Sequence, residues 1–341
     1  MIAPAKSLAK SWPDAPDTTG ALETLSVTLA ADMRGVNAII LENLQSEVAL
    51  IPEVARYLIA AGGKRLRPLL TVASARLCGA VDNICYDLAA AVEFIHSASL
   101  LHDDVVDESH QRRGQPSAND RFGNQASVLV GDFLFARGFE LMVASGNLEV
   151  LKILAHTSAQ ITEGEVLQLS LAGNVDTREA DYLRVIEAKT ASLFSAATEV
   201  GAILAGGAHR TALRDFGYHF GMAFQLIDDV LDYSADAAAL NKNLGDDFRE
   251  GKLTCPVILA IAAGTAEEKD FWRATLGAEN YSDDMFTRAQ GLMQKYNVFD
   301  AVCARAEDHA AKARAALQSA PDHPLRAQLL DVLDYCVTRV S

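Results

Sequence analysis

From Ala21 to the end of the chain apolar residues recur every three to four positions, and no stretch alternates apolar with polar as a half-buried strand requires. Such a sequence can fold only by packing helices on helices. The spacing predicts helices over 22–47, 52–61, 68–77, 86–107, 124–144, 148–171, 178–204, 210–233, 256–263 and 325–340, with further amphipathic helices between the last two. Pro52, Pro68 and Pro256 fit first-turn positions, and Gly62-Gly63, Gly79, Gly114, Gly146, Gly173 and Gly206-Gly207 punctuate. The segments 88–101 and 191–205 are apolar nearly all round, which places them inside a large bundle. A length of 341 residues would allow two domains, but no linker and no internal repeat divides the chain. The expectation is one all-α domain over 21–341, preceded by a flexible tail over 1–20.

Half the residues are hydrophobic, enough for a sizeable core, and the net charge is −15. That charge argues against nucleic acid and against docking on an anionic membrane. An anionic substrate must then be met by a local basic cluster or by a metal. The five cysteines never form Cys-x-x-Cys and read as reduced, mostly buried thiols of a cytoplasmic protein. The first twenty residues carry Lys6, Lys10, Pro4, Pro13 and Pro16 but no apolar run with a cleavage pattern, so a frayed tail is expected rather than a signal peptide. Apolar runs such as 257–263 fall short of the roughly 18 to 20 residues of a membrane span.

Two clusters share the pattern Asp-Asp-x-x-Asp: Asp103, Asp104 and Asp107, then Asp228, Asp229 and Asp232. On a helix the first and fifth positions differ by about 40° in azimuth and about 6 Å in rise, so the outer carboxylates of each cluster share a face. Like charges so placed repel, and they lie among Val and Leu where a solvated face would carry Lys. A cation between the two helices is expected. Hard oxygen donors point to Mg²⁺, which keeps waters and is completed by substrate phosphates. A single cluster could be an acidic helix end; two, each led in by apolar residues, make coincidence a poor explanation.

Basic residues complement these clusters. Gly62-Gly63-Lys64-Arg65-Leu66-Arg67-Pro68 sets three cations on a glycine-loosened turn that opens a helix, a combination suited to phosphate. Its bland alternative is a solvated turn. Arg112-Arg113 follows Asp107 by five and six residues and could bracket an anion, or Arg112 could simply pair with Glu108. Gln225 precedes Asp228, Asp229 and Asp232 by three, four and seven residues and so shares their face. His96, seven residues before Asp103, falls about 20° off that stripe.

These strings, with Lys189-Thr190 and Gly245-Asp246-Asp247-Phe248-Arg249-Glu250-Gly251-Lys252, closely resemble the trans-type polyprenyl diphosphate synthases. The match runs in order over nearly the whole chain and is worded most like the bacterial octaprenyl, solanesyl and decaprenyl enzymes. The resemblance implies a bundle of the isoprenoid synthase type with a central cavity between the helices that carry the two Asp motifs. It implies that Lys64, Arg67, His96 and Arg113 hold isopentenyl diphosphate, and that Arg112, Lys189, Thr190, Gln225 and Lys242 hold the allylic diphosphate. Asp103, Asp107 and Asp228 would bind Mg²⁺ directly, with Asp104, Asp229 and Asp232 in support. Lys189, Thr190, Gln225 and Lys242 become the candidate catalytic residues, although Leu240-Asn241 stands before Lys242 where a glycine is expected. A homodimer and a quinone side chain as the product's destination follow by the same analogy.

The chemistry so implied is ionisation of an allylic diphosphate and attack on the cation by the double bond of isopentenyl diphosphate. Rival readings are a shorter-chain farnesyl or geranylgeranyl synthase, a terpene cyclase, a silent regulatory subunit and a di-iron carboxylate bundle. The cyclase normally lacks the second Asp motif, and a silent subunit tends to lose one. The di-iron architecture uses Glu-x-x-His twice, whereas Glu93-Phe94-Ile95-His96 occurs alone. Ser99 lies one turn below Asp103 on its stripe, and the resemblance adds Ala98 to the same wall. Neither side chain can plug a tunnel, which favours a long product over farnesyl or geranylgeranyl, and the resemblance implies some eight to ten isoprene units.

Overall fold

The computed structural model describes residues 20–60, 65–112, 114–234, 244–278 and 281–339. The amino-terminal tail expected over 1–20 lies outside these, apart from Gly20, as do Lys64, Arg113 and Lys242. Helices dominate, and the exception among the described residues is a two-residue antiparallel ribbon, β1 (Gln111–Arg112) with β2 (Gln115–Pro116).

The order is α1 (Ala21–Thr28), α2 (Ala30–Asn43), α3 (Leu50–Ala60), α4 (Leu66–Leu77), α5 (Ile84–Val106), the ribbon, α6 (Ala118–Phe122), α7 (Asn124–Ala144) and α8 (Leu148–Leu171). Then come α9 (Glu179–Ile186), a π-helical turn (Glu187–Ala191), α10 (Ser192–Leu204), α11 (Arg210–Tyr233), α12 (Asp246–Arg249) and α13 (Cys255–Ala263). α14 (Ala266–Thr275), α15 (Asp283–Lys295), α16 (Val298–Leu317) and α17 (Pro324–Thr338) close the chain.

Capping side chains fix several starts. Asn147 accepts from the backbone N–H groups of Glu149 and Val150, and Thr265 forms a reciprocal box with Glu268. Helix α10 is the axis. It is buried at nearly every position, as its all-round apolar sequence requires, and packs against α4, α5, α8 and α11. Helix α5 is the second core helix and pairs with α7.

Three expectations change. The predicted helix over 22–47 is two helices bent by 77° at Leu29, which turns Leu25 on one side and Val36 and Ile40 on the other into the core. The predicted helix over 178–204 is interrupted by the π turn. Contrary to the reading of apolar runs, α5 is long and apolar enough to cross a membrane by length and composition, as are α1 and α2 only if that bent pair is counted as one span. The apolar window in α5 is 61% buried inside the bundle, and the helix carries Asp103 and Asp104 in its last turn.

Candidate active site

The last turn of α5 carries Asp103 and Asp104, and Asp107 caps the helix with its N–H donating to Asp103 O at 2.8 Å. The i,i+4 geometry therefore holds to the last carboxylate. Asp104, 1% exposed, turns away and receives Arg112 in a forked contact, Nε at 2.9 and 3.0 Å and Nη2 at 2.6 Å. The chain leaves the helix at Val106, Glu108 adopts φ 50°, and the ribbon brings Arg112 back under the cluster. Arg112 thus pairs with Asp104 rather than with Glu108.

The second cluster occupies the last turns of α11. Asp229, 2% exposed, accepts from Tyr182 Oη at 2.6 Å and Gln225 Nε2 at 2.8 Å. Gln225 Oε1 in turn accepts from Thr190 Oγ1 at 2.9 Å. This chain of bonds ties α9, the π turn and α11 together. Burial, with Asp247 nearby, pushes the Asp229 carboxyl up to about 8. Asp232 accepts from the backbone N–H of Asp247 at 3.2 Å and fixes the start of α12. Asp228 faces α17, with Arg339 Nη2 at 3.7 Å from Oδ1.

A cavity of about 310 Å³ lies between the two clusters. Asp107, Asp229, Gln225, Thr190, Lys189 and Lys252 form its polar wall, while Val106, Leu169, Val185 and Ile186 are apolar. Two lysines address the first cluster. Lys189 Nζ lies 3.5 Å from Asp103 Oδ2 and also pairs with Glu165 of α8. Lys252 Nζ lies 2.7 Å from Asp107 Oδ2 and 2.5 Å from Glu250 Oε2. Burial pulls both ammonium groups down, but the surrounding carboxylates outweigh it and raise them, so both stay charged.

Lys189 and Thr190 sit on the π turn, and two glycines make room for it. A Cβ at Gly164 of α8 would stand 2.9 Å from Ala188 Cβ and 3.0 Å from Lys189 N; one at Gly221 of α11 would stand 2.6 Å from Ala191 Cα.

A second basic centre lies behind the clusters. Arg67 Nη1 and His96 Nε2 are 3.1 Å apart, and the Arg67 guanidinium lies 4.2 Å over the Phe194 ring. Burial lowers Arg67 to about 10, with Glu93 and Asp228 opposing. Arg339 lies 4.5 Å over Phe224, whose ring packs 5.5 Å from Phe194. The Nε atoms of Arg67 and Arg339 are buried with no hydrogen-bond partner among the described residues, which leaves donors available to an anion.

Of the residues the sequence singles out, Asp107, Lys189, Thr190, Gln225 and Asp229 line the cavity; Asp103 meets it through Lys189, and Asp228 and the Arg67–His96 pair stand outside its lining. Sequence reasoning missed the parts played by Lys252, Glu165, Glu250, Tyr182 and Arg339. Lys252 and Glu250 stood within a quoted motif without a role; Arg339 carried no local signal. Ala98 and Ser99 lie deeper on α5. Ala98 is fully buried, and Ser99 Oγ donates to His96 O at 2.9 Å.

Among the described residues no three His, Cys, Asp or Glu side chains converge as a ready-made metal cage. The available donors are carboxylate oxygens with no thiolate among them, spread across a cavity rather than closed on a point. That set fits a hard cation that keeps waters and takes its remaining ligands from a diphosphate.

The polyprenyl synthetase family model matches residues 48–293. The chain is 45% identical to the octaprenyl diphosphate synthase of Escherichia coli (strain K12) over 320 residues, 93% of this chain and 99% of that protein. It is similar to a decaprenyl diphosphate synthase from Rhodobacter capsulatus, with 53% identity, a TM-score of 0.89 and coverage of 94% and 99% of the two chains. A polyprenyl synthase from Caulobacter crescentus CB15, solved with calcium and isoprenyl diphosphate, is 50% identical with a TM-score of 0.90, covering 94% of this chain and 98% of that one. Family placement and the Arg67–His96 contact dispose of the di-iron reading. With its all-helical isoprenoid synthase fold, the chain belongs to the polyprenyl synthetase family and is a prenyltransferase.

Proposed function

We propose that the enzyme condenses isopentenyl diphosphate with an allylic diphosphate, repeatedly, to give an all-trans product of about eight to ten isoprene units. The single observation that carries this reading is the cavity bounded by carboxylates from both Asp motifs and by Lys189 and Lys252. Long-chain relatives support the product class, since they reach 41% to 45% identity while short-chain and geranylgeranyl enzymes stand at 32% to 33%.

Asp103, Asp107 and Asp228 are the residues that would hold Mg²⁺, which when bound supplies Lewis-acid neutralisation of the diphosphate as its C–O bond breaks. Lys189 and Lys252 cover the same leaving group with fixed positive charge. Asp104 and Asp229 act in support, the first by anchoring Arg112 and the second by orienting Gln225; Asp232 holds the following loop. Arg112 therefore contributes to the allylic site through Asp104. Thr190 and Gln225 present oxygens beside the cavity, where an allylic cation would be stabilised away from water. The double bond of isopentenyl diphosphate attacks C1 of that cation, and the proton then leaves to the released pyrophosphate.

Arg67 and His96 hold the isopentenyl diphosphate, a role the orphaned Arg67 Nε supports and in which Arg339 joins them. Lys64 and Arg113 complete that set and Lys242 the allylic one, all three outside the described residues. The working form is a cytoplasmic homodimer whose product serves a quinone side chain. Incubation with farnesyl diphosphate, labelled isopentenyl diphosphate and Mg²⁺, followed by sizing of the dephosphorylated alcohols, tests the reading. Products of 40 to 50 carbons bear it out by the arithmetic of eight to ten five-carbon units; no incorporation, or a product that stops at 20, overturns it.

A further inference from the structure

The first Asp cluster meets its two lysines in the same way twice. Lys189 touches Asp103 on one side and Glu165 of α8 on the other, with Glu165 the nearer. Lys252 lies between Asp107 at 2.7 Å and Glu250 at 2.5 Å, and Glu250 is itself steadied by Ser109 Oγ at 3.2 Å. The glutamates come from different elements, and neither belongs to an Asp motif. Each is largely buried, with side-chain exposures of 17% and 22%. An isolated buried carboxylate is costly, so each depends on its lysine.

An ammonium group against an aspartate competes with any cation for the same oxygen. Lys189 and Lys252 would block the carboxylates they face unless another acceptor could take them. Glu165 and Glu250 are those acceptors. Gly164 adds to the case, because its missing side chain lets α8 approach the backbone of Lys189 closely and brings the adjacent Glu165 onto the ammonium. Burial and the neighbouring Asp103 raise the Glu165 carboxyl, and the Lys189 ammonium opposes them, which ties the charge on Glu165 to its lysine.

We propose that Glu165 and Glu250 are positioning residues that draw Lys189 and Lys252 off Asp103 and Asp107, so that a divalent cation carrying diphosphate can reach those carboxylates. The inference rests on the reading of the Asp motifs given above. The glutamates touch lysine and not substrate. They act by choosing where each positive charge sits.

The test is calorimetric titration of the full-length enzyme with Mg²⁺ in the presence of inorganic pyrophosphate, without turnover. Glu165→Gln and Glu250→Gln should each weaken Mg²⁺ binding about tenfold, the equivalent of about 1.4 kcal/mol. In a Lys189→Met background Glu165→Gln should change binding less than about threefold, because no ammonium remains to be moved; a double-mutant cycle reads this coupling directly. Glu165→Asp keeps the charge on a shorter arm and should recover part of the loss, which also controls for misfolding. An equal loss with and without Lys189 would make Glu165 a ligand or a packing residue and overturn the proposal, as would unchanged affinity in both glutamine variants. If Mg²⁺ and pyrophosphate fail to bind the parent enzyme, or bind Asp103→Asn as well, the reading of the Asp motifs fails instead.

Discussion

Asp103 and Asp228 stand on different helices with different basic neighbours, Lys189 for the first and Arg339 for the second. Either aspartate replaced by alanine removes charge that would bind the metal–diphosphate while leaving a partly exposed site, so the fold should survive. Turnover should fall at least ~10²-fold in each variant, with helical circular dichroism unchanged. Near-parental rates at saturating Mg²⁺ would sink the two-motif site. Arg67 separates the substrates. Its guanidinium is stacked on Phe194 and paired with His96, whereas Lys189 pairs with Asp103 and Glu165, so Arg67→Ala should raise KM for isopentenyl diphosphate about ten- to a hundredfold and Lys189→Ala should act on the allylic substrate. Steady-state kinetics with each substrate varied in turn would show identical responses if this division is wrong. The Asp residues were legible because both motifs obey helical spacing. Glu165 was not, since its role depends on an approach of α8 to the π turn that no local pattern encodes.

Helices α7, α8 and α11 occupy the ranges the periodicity predicts, although of the three only α8 starts on a capping side chain, Asn147. The bend at Leu29 and the π turn at Glu187–Ala191 were not readable, because neither contains Gly or Pro and both are imposed by neighbours. Packing between elements also leaves a pH signature. His219 of α11 and His309 of α16 meet with Nδ1 atoms 3.0 Å apart. Burial lowers both, His309 to about 4, with Lys312 adding to the effect and Asp308 and Asp215 opposing it. The unfolded chain then binds more protons than the folded one between about pH 6.5 and 4, so this pair favours folding above that window and the contribution is lost on acidification. Melting curves at pH 7 and pH 5 should show a drop in Tm for the parent and a smaller one for His309→Asn. Equal drops would place the acid sensitivity elsewhere.

At the scale of the whole molecule, the two Asp motifs lie at the carboxyl-terminal ends of α5 and α11, and the buried Ala91, Ile95, Ala98 and Leu101 make α5 apolar along the course a growing chain could take. Two stripes of α5 meet different surroundings. Ala91, Ile95, Ala98 and His102 follow the side that α7 covers: a Cβ at Gly138 would stand 3.4 Å from Ala91 O and 3.7 Å from Ile95, and one at Gly131 would strike His102. His96, Ser99 and Asp103 follow the neighbouring side, which leads from the Arg67 centre to the first Asp cluster. A tail anchored at Asp103 would then pass Ser99, whereas Ala98 shares the stripe of Ala91, Ile95 and His102 that faces α7. Ser99→Phe should shorten the product markedly while condensation continues, since a ring adds bulk without touching phosphate. Ala98→Phe should shorten it too, but at a fully buried position it forces α5 and α7 apart and should cost about 1 to 3 kcal/mol in stability. Chromatography of the dephosphorylated alcohols, with a melting curve for each variant, checks both expectations. Chain lengths unchanged in both variants would remove these residues from the wall and leave them as ordinary packing between two helices.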